Sequence, residues 1–386
     1  YDDAALAAWL LRQPQRSAPT VPAATARVEI AAETRVTVGG AATRLQLAAI
    51  HGIDLSPRLV WLDDAGALFA SSAGWFITVR RGAEGVLPTL RALELQWHDA
   101  RDAALATRFA PKPAAAIVIQ NGDLFDSETG TMRPRTTVVI QGERITAVGP
   151  AESTRGPAGA TIIDATGRTI IPGMWDMHTH AFQGTSDGLL QLAAGITTVR
   201  DMAADLDVAT SLRDRADRGT LLGPRMILAG FVEGPGKWAG PTGVLVRTED
   251  EARAVVARYD SLGYKQIKLY NLVHPDLVPV IAAEAHARGM RLSGHIPRGM
   301  SVTAAIRVGY DEVQHGAFLF SNFFQDSLYF PRMRAYSEVA SLVAPTFNVD
   351  APEVTALINV LRDRGTVFDG TFNIWQDRQR LLPDGT

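Results

Sequence analysis

Four histidines and one lysine are the residues of this sequence best suited to chemistry. His178 and His180 stand two apart in MWDMHTH. Side chains at i and i+2 of a β-strand leave the same face, so both imidazoles point one way. Two convergent imidazoles can hold a Zn²⁺-like ion. Taken singly, such a spacing also arises by chance on protein surfaces. His295 in RLSGHIP and His315 in DEVQHG give it company: each closes an apolar run, and Pro297 and Gly316 end those runs. Lys268 lies in QIKLY between apolar neighbours. An amine buried there must lower its pKa or pair with a carboxylate. A neutral amine beside two metal ions can also add carbon dioxide, giving a carbamate that bridges both. Tyr270 shares the strand face of Lys268 and either holds a substrate oxygen or fills space around it.

The elements that must position these residues follow from the rhythm after Pro172. Short apolar runs (MWDMHTH, ITTVRDM, RMILAGF, QIKLY, RLSGHI, DEVQHG, TVFDGTF) alternate with amphipathic stretches such as TEDEARAVVARYDSLG and HPDLVPVIAAEAHARG. Strand–helix alternation of this kind implies parallel strands joined by right-handed crossovers. Seven such runs predict an α/β fold, a (β/α)8 TIM-type barrel whose eighth strand is not in this chain. In such a barrel the carboxyl ends of the strands line the active site. His178, His180, Lys268, His295 and His315 all fall at or near those ends.

Other residues are weaker candidates. The Gly/Pro-rich loop FVEGPGKWAGPTG follows the third strand and brings Glu233, Lys237 and Trp238 over the barrel mouth, as substrate contacts or as solvated loop. His274 opens the helix after the fourth strand, where it could touch substrate. Asp176 shares the face of His178 as a supporting partner, and Asp201 shapes the site through hydrogen bonds. The aromatic stretch SNFFQDSLYFPRM after the sixth strand is read as a pocket wall or as rim packing. His286 lies inside a helix and is read as structural.

Three regions are predicted. Residues 1–110 form an N-terminal α+β accessory module, with helices at 3–13 and 86–109 and a linker at 14–24. Residues 111–172 form a small β-sandwich segment, and residues 173–386 the incomplete barrel. Cysteine is absent, so a metal must be held by His, Asp, Glu or modified Lys. A net charge of −3 offers no basic excess for nucleic acid, and no apolar stretch is long enough to span a membrane. A small-molecule substrate is expected, and homo-oligomerisation is left open. The chain begins at Tyr1 without a leader, which suggests processing and a periplasmic or secreted location, with a cytoplasmic one as the alternative.

PGMWDMHTH and the strands before it, followed by GITTVRDM, IKLY, GHIP and QHG, resemble the amidohydrolase superfamily, in its imidazolonepropionase-like and prolidase-like branch, over residues 115–380. The resemblance implies two divalent metal ions, Zn²⁺ by expectation. His178 and His180 would bind one, His295 and His315 the other, and carbamylated Lys268 would bridge them. The family's remaining ligand, an aspartate that ends the eighth strand and acts as general base, has no counterpart here. Asp369, on the seventh strand, is a poor substitute. Because an open seven-stranded barrel exposes two edges, a C-terminal fragment of the same precursor is expected to complete it. The implied activity is metal-dependent hydrolysis of an amide or peptide-like C–N bond in a dipeptide or N-acyl amino acid, by metal-activated hydroxide, with Lys268 and Tyr270 at the chemistry. The alternatives are a cyclic-amide, imidazolone or lactone hydrolase, and a non-catalytic binding protein on the same fold.

Overall fold

The seven apolar runs after Pro172 become seven parallel strands that pair in chain order. In the numbering used below, β1–β11 precede them. They are β12 (Met174–Thr179), β13 (Ile196–Asp201), β14 (Arg225–Val232), β15 (Gln266–Leu269), β16 (Arg291–Gly294), β17 (Glu312–Gln314) and β18 (Val367–Asp369). The computed structural model describes residues 2–21, 24–73, 76–113, 115–181, 187–237, 239–240, 242–323 and 346–372.

The central strands of the sheet are covered on both faces. β15 is buried at all four positions, as parallel strands under a helical layer require. Ile267 and Leu269 face outward, where they join Val256, Ile281 and Ala285 of the helices α5 (Glu249–Ser261) and α6 (Val278–Ala287) in one core. Each buried Val, Leu or Ile side chain stabilises the layer by about 1.5–3 kcal/mol. Gln266 and Lys268 are left to point inward. α5 starts where Thr248 accepts a hydrogen bond from the Glu251 amide and three acidic residues fill the first turn, opposite the positive end of the helix dipole. Gly230 is required on β14: a Cβ there would lie 2.4 Å from the Tyr259 ring, which packs over the strand and donates to the Phe231 carbonyl.

The accessory region is a six-stranded antiparallel meander, β1 (Ser17–Thr20), β2 (Ala24–Val38), β3 (Ala41–His51), β4 (Arg58–Asp63), β5 (Leu68–Ala73) and β6 (Phe76–Val79). α1 (Asp3–Leu11) packs Ala7 and Leu10 against Ile50 and Leu62 on one face. α2 (Leu87–Phe109) sets Leu90 against Trp61 and Phe69 on the other. The stretch 14–24, predicted as a linker, contains β1, which pairs with β2. As an edge strand with no fully buried residue, β1 needs no alternating apolar pattern and so leaves no signal. α2 also reaches the barrel: Arg215 of α4 (Leu206–Asp217), buried, lies 2.8 Å from both Asp99 and Asp102.

Between these regions, β7 (Ile117–Asp126), β8 (Thr131–Gln141), β9 (Arg144–Pro150), β10 (Thr161–Asp164) and β11 (Thr169–Ile170) make one mixed sheet. Among the described residues this is a single layer where a sandwich is predicted. No helix among them is long and apolar enough to cross a membrane.

Candidate active site

The parallel sheet curls until side chains from its first and last strands meet. His178 lies near the end of β12, Lys268 near the end of β15, and His295 and His315 directly after β16 and β17. The ring centroids of His178 and His180 are 5.5 Å apart, those of His178 and His315 4.7 Å, and those of His295 and His315 4.8 Å. Lys268 Nζ is 3.5 Å from His178 Nε2. The five residues singled out by spacing therefore form one cluster. β12 carries a register irregularity between Asp176 and Thr179, and such a bulge re-aims side chains. The Asp176 carboxylate accepts the His178 backbone amide there, at 3.1 Å, and so supports the bend in the main chain.

In every one of the four histidines Nδ1 is tied to a neighbour. His178 Nδ1 meets Asp369 Oδ2 at 2.8 Å, and His180 Nδ1 meets the Ala203 carbonyl at 2.9 Å. His295 Nδ1 meets Asn271 Oδ1 at 2.8 Å, and His315 Nδ1 meets Thr371 Oγ1 at 2.8 Å. A proton on Nδ1 puts the ring's lone pair on Nε2, which is how proteins prepare histidines as metal ligands. Burial, with Lys268 adding to it, holds His180 and His295 below the ordinary histidine range, so both are neutral at pH 7. Burial pushes Lys268 down to about 7, against the pull of Asp201 and Asp369. Asp201, at the end of β13, is itself pushed up by burial, and its Oδ2 accepts the Ala181 amide.

The donor set, four imidazoles with oriented Nδ1 atoms around a low-pKa amine, suits divalent cations by its chemistry. As placed, the rings touch one another, and among the described residues no three His, Asp or Glu side chains are grouped to hold an ion. The fit therefore rests on donor type and orientation. His315 is also strained: its φ of 63° and ψ of 122° lie where glycine is favoured. Strain of this kind concentrates at functional sites.

The other predicted residues divide. Tyr270 joins the cluster, its ring 4.1 Å from that of His295 and 4.9 Å from that of Phe231. Glu233 does not present a free carboxylate. It is fully buried, with Oε1 accepting the Gly234 and Leu272 amides and Oε2 the Gly240 amide. The carboxylate expected to bind substrate organises the loop instead. His274 caps a short helical turn, accepting the Asp276 amide, and its side chain is 70% exposed, away from the cluster. Trp238 and most of the aromatic stretch 321–333 lie outside the described residues.

No family model matches the chain. It is 33% identical over 113 residues to an imidazolonepropionase of Anaeromyxobacter dehalogenans, covering 27% of each protein. It is 45% identical over 67 residues to an adenine deaminase of Rubrobacter xylanophilus, covering 17% of this chain and 11% of that one. The chain thus spans about a quarter or less of these curated relatives. A solved Xaa-Pro dipeptidase with methionine in its active site shares the fold, with a TM-score of 0.52 at 20% identity over 70% of this chain and 72% of that one. A bottromycin amidohydrolase does so with a TM-score of 0.50 at 20% identity, over 62% and 51%.

The matched stretches and the fold are those of amidohydrolase-superfamily proteins.

Within this parallel sheet, three contributors are not singled out by spacing. Asn271 and Thr371 hold the rings of His295 and His315, and Arg200 bonds to Glu312 and Asp369 beneath the cluster. Asp369, predicted to be a poor substitute for an eighth-strand aspartate, touches His178 directly. Burial pulls its carboxyl up, but the His178 hydrogen bond and the Arg200 charge outweigh that and hold it below the usual carboxylate range. Only the strand-end position of Asp369 in TVFDGTF hinted at this role.

Proposed function

We propose that this chain carries the metal-binding part of a hydrolase that cleaves an amide or peptide-like C–N bond, with a dipeptide or an N-acyl amino acid as substrate. The observation that carries the reading is the convergence of His178, His180, His295, His315 and Lys268, each imidazole fixed at Nδ1, at the carboxyl ends of parallel strands. The Xaa-Pro dipeptidase fold neighbour supports the choice of substrate class.

His178 and His180 would hold one divalent ion through Nε2, and His295 and His315 a second. Burial pushes Lys268 down to about 7, so its amine could add carbon dioxide with release of one proton, and the carbamate would supply oxygen ligands beside the imidazoles. Bound Zn²⁺ supplies Lewis acidity towards a scissile carbonyl and acidifies a water. Tyr270, packed on His295, presents its hydroxyl to a substrate carboxylate or carbonyl oxygen. Asp369, kept anionic, holds the Nδ1 proton of His178 and so keeps the lone pair on Nε2.

A second reading has its own support. The curated relatives include an imidazolonepropionase and an adenine deaminase, which favours hydrolysis at a cyclic amide or amidine. One experiment separates the two. The purified chain, loaded with Zn²⁺ and checked for metal content, is assayed on Xaa-Pro dipeptides, N-acyl amino acids, imidazolones and lactones. Two metal ions per chain and turnover of linear amides support the first reading. Turnover confined to cyclic substrates supports the second and removes the first. A folded protein that takes up no metal removes both.

A further inference from the structure

We propose that Arg200 is a positioning residue for His178, acting through Asp369. Arg200 stands on β13 with its side chain buried in the interior of the sheet. Its Nε donates to the Met177 carbonyl at 2.6 Å, and that carbonyl belongs to the peptide group that leads into His178. Its Nη2 reaches Asp369 Oδ2 at 3.4 Å, the same oxygen that accepts the His178 Nδ1 proton. The guanidinium thus grips His178 twice: at the backbone through Met177, and at the ring through Asp369.

Glu312 fixes the orientation of the grip. Its two oxygens each meet one Nη atom at 2.6 Å, the parallel two-bond geometry that a planar fork allows. Gln314 donates to Glu312 Oε1 at 3.1 Å and holds the carboxylate in turn. Arg200 with Glu312 and Asp369 makes one cation against two anions, so the group keeps one surplus negative charge beneath the imidazoles. A guanidinium stays protonated at every working pH. Asp369 beside it remains an acceptor, and His178 Nδ1 remains the donor. Lysine at position 200 would offer a single ammonium head and could not span Met177, Glu312 and Asp369 together.

A plain structural ion pair would stabilise the strands and leave the proton on His178 indifferent to it. Long-range ¹⁵N NMR of the imidazoles separates the two roles, using the full chain after removal of metal by a chelator and assigning His178 by comparison with His178→Gln. Wild-type His178 is expected to carry its proton wholly on Nδ1. The double variant Arg200→Gln/Glu312→Gln removes both buried charges together and strands neither. In it, His178 is expected to become a mixture of tautomers while His180, bonded to the Ala203 carbonyl, is unchanged. A folded double variant that keeps His178 wholly protonated on Nδ1 overturns the proposal. Should the double variant fail to fold, Arg200→Lys carries the same readout, with the same two outcomes.

A second arm titrates Zn²⁺ into the same proteins and rests on the metal-binding reading above. The variants are expected to bind about 10–100-fold more weakly, the range found when a partner behind a ligand is lost. Unchanged affinity counts against the proposal. If wild type binds no Zn²⁺, the metal reading fails, and the tautomer measurement alone decides the role of Arg200.

Discussion

The imidazole of His178 and the carboxylate of Asp369 meet at 2.8 Å, joining the first and seventh strands of the parallel sheet through their side chains. β12 and β18 share no backbone hydrogen bonds in the described sheet. The side-chain bond therefore reports how far the sheet has curled, and it delivers the last strand to the histidine cluster.

Asp369→Leu tests that bond. Loss of a charge-assisted hydrogen bond, with Arg200 left facing an apolar side chain, should lower stability by about 1–3 kcal/mol. Zn²⁺ affinity should fall by about tenfold or more. Asp369→Asn, which still offers an oxygen, should fall between the two. Urea unfolding and zinc titration measure both quantities. A variant as stable and as zinc-avid as wild type would remove Asp369 from the site.

Lys268→Met replaces a buried amine by an apolar side chain of similar length. Metal-free protein should become more stable at pH 7, because a desolvated amine is lost and packing is kept. Zinc stoichiometry should drop. The sign of the pH dependence follows from the shift. Folded Lys268 releases its proton near 7 and the unfolded amine near 10.5. Between those values the unfolded state binds more protons, so wild-type stability rises with pH from about 7 towards 10. Lys268→Met should flatten that rise in a series of urea melts.

At His315 the backbone and the side chain make opposite demands. His315→Gly and His315→Ala both remove the ring, but only glycine tolerates the observed φ of 63° without strain. The glycine variant should be the more stable of the two by about 1–3 kcal/mol. Thermal melts of both decide the matter, and equal stability would mean that the backbone relaxes freely.

Glu233→Ala should leave the Gly234, Gly240 and Leu272 amides without their acceptor. A loss of about 1–3 kcal/mol is expected, with faster limited proteolysis within residues 234–246. Unchanged proteolysis would show that the loop holds itself.

How much of this was legible in the sequence depends on the range of each interaction. The HxH pair is a local pattern, and His295 and His315 stand beside local stop signals, so all four could be found by spacing. Lys268 stood out because a charge sat between apolar neighbours. The partners of the rings could not be found in this way. Asp369 meets a residue 191 positions away, and Thr371 one 56 positions away. Such pairs leave no period in the chain. Arg200 read as one more residue of TTVRDM, since nothing local distinguishes an arginine facing the sheet interior from one facing water. Glu233 is a different case: its carboxylate accepts three backbone amides, and nothing in its local sequence separates such an organising role from substrate contact. β1 was missed because four residues at a sheet edge, Ser17–Thr20, carry too short a pattern to stand out from a Pro/Ala/Ser/Thr-rich stretch.

The buried Arg215 between Asp99 and Asp102 has a mechanical consequence. α2 has 23 residues, a rod about 35 Å long at 1.5 Å per residue. It lies along the meander and is bolted to the barrel near its middle. Swinging the meander away would separate the guanidinium from both of its counter-charges, so α2 is expected to move with the helix that carries Arg215. Amide hydrogens around Asp99 and Asp102 should exchange at the pace of the barrel helices and not at that of the meander's outer strands.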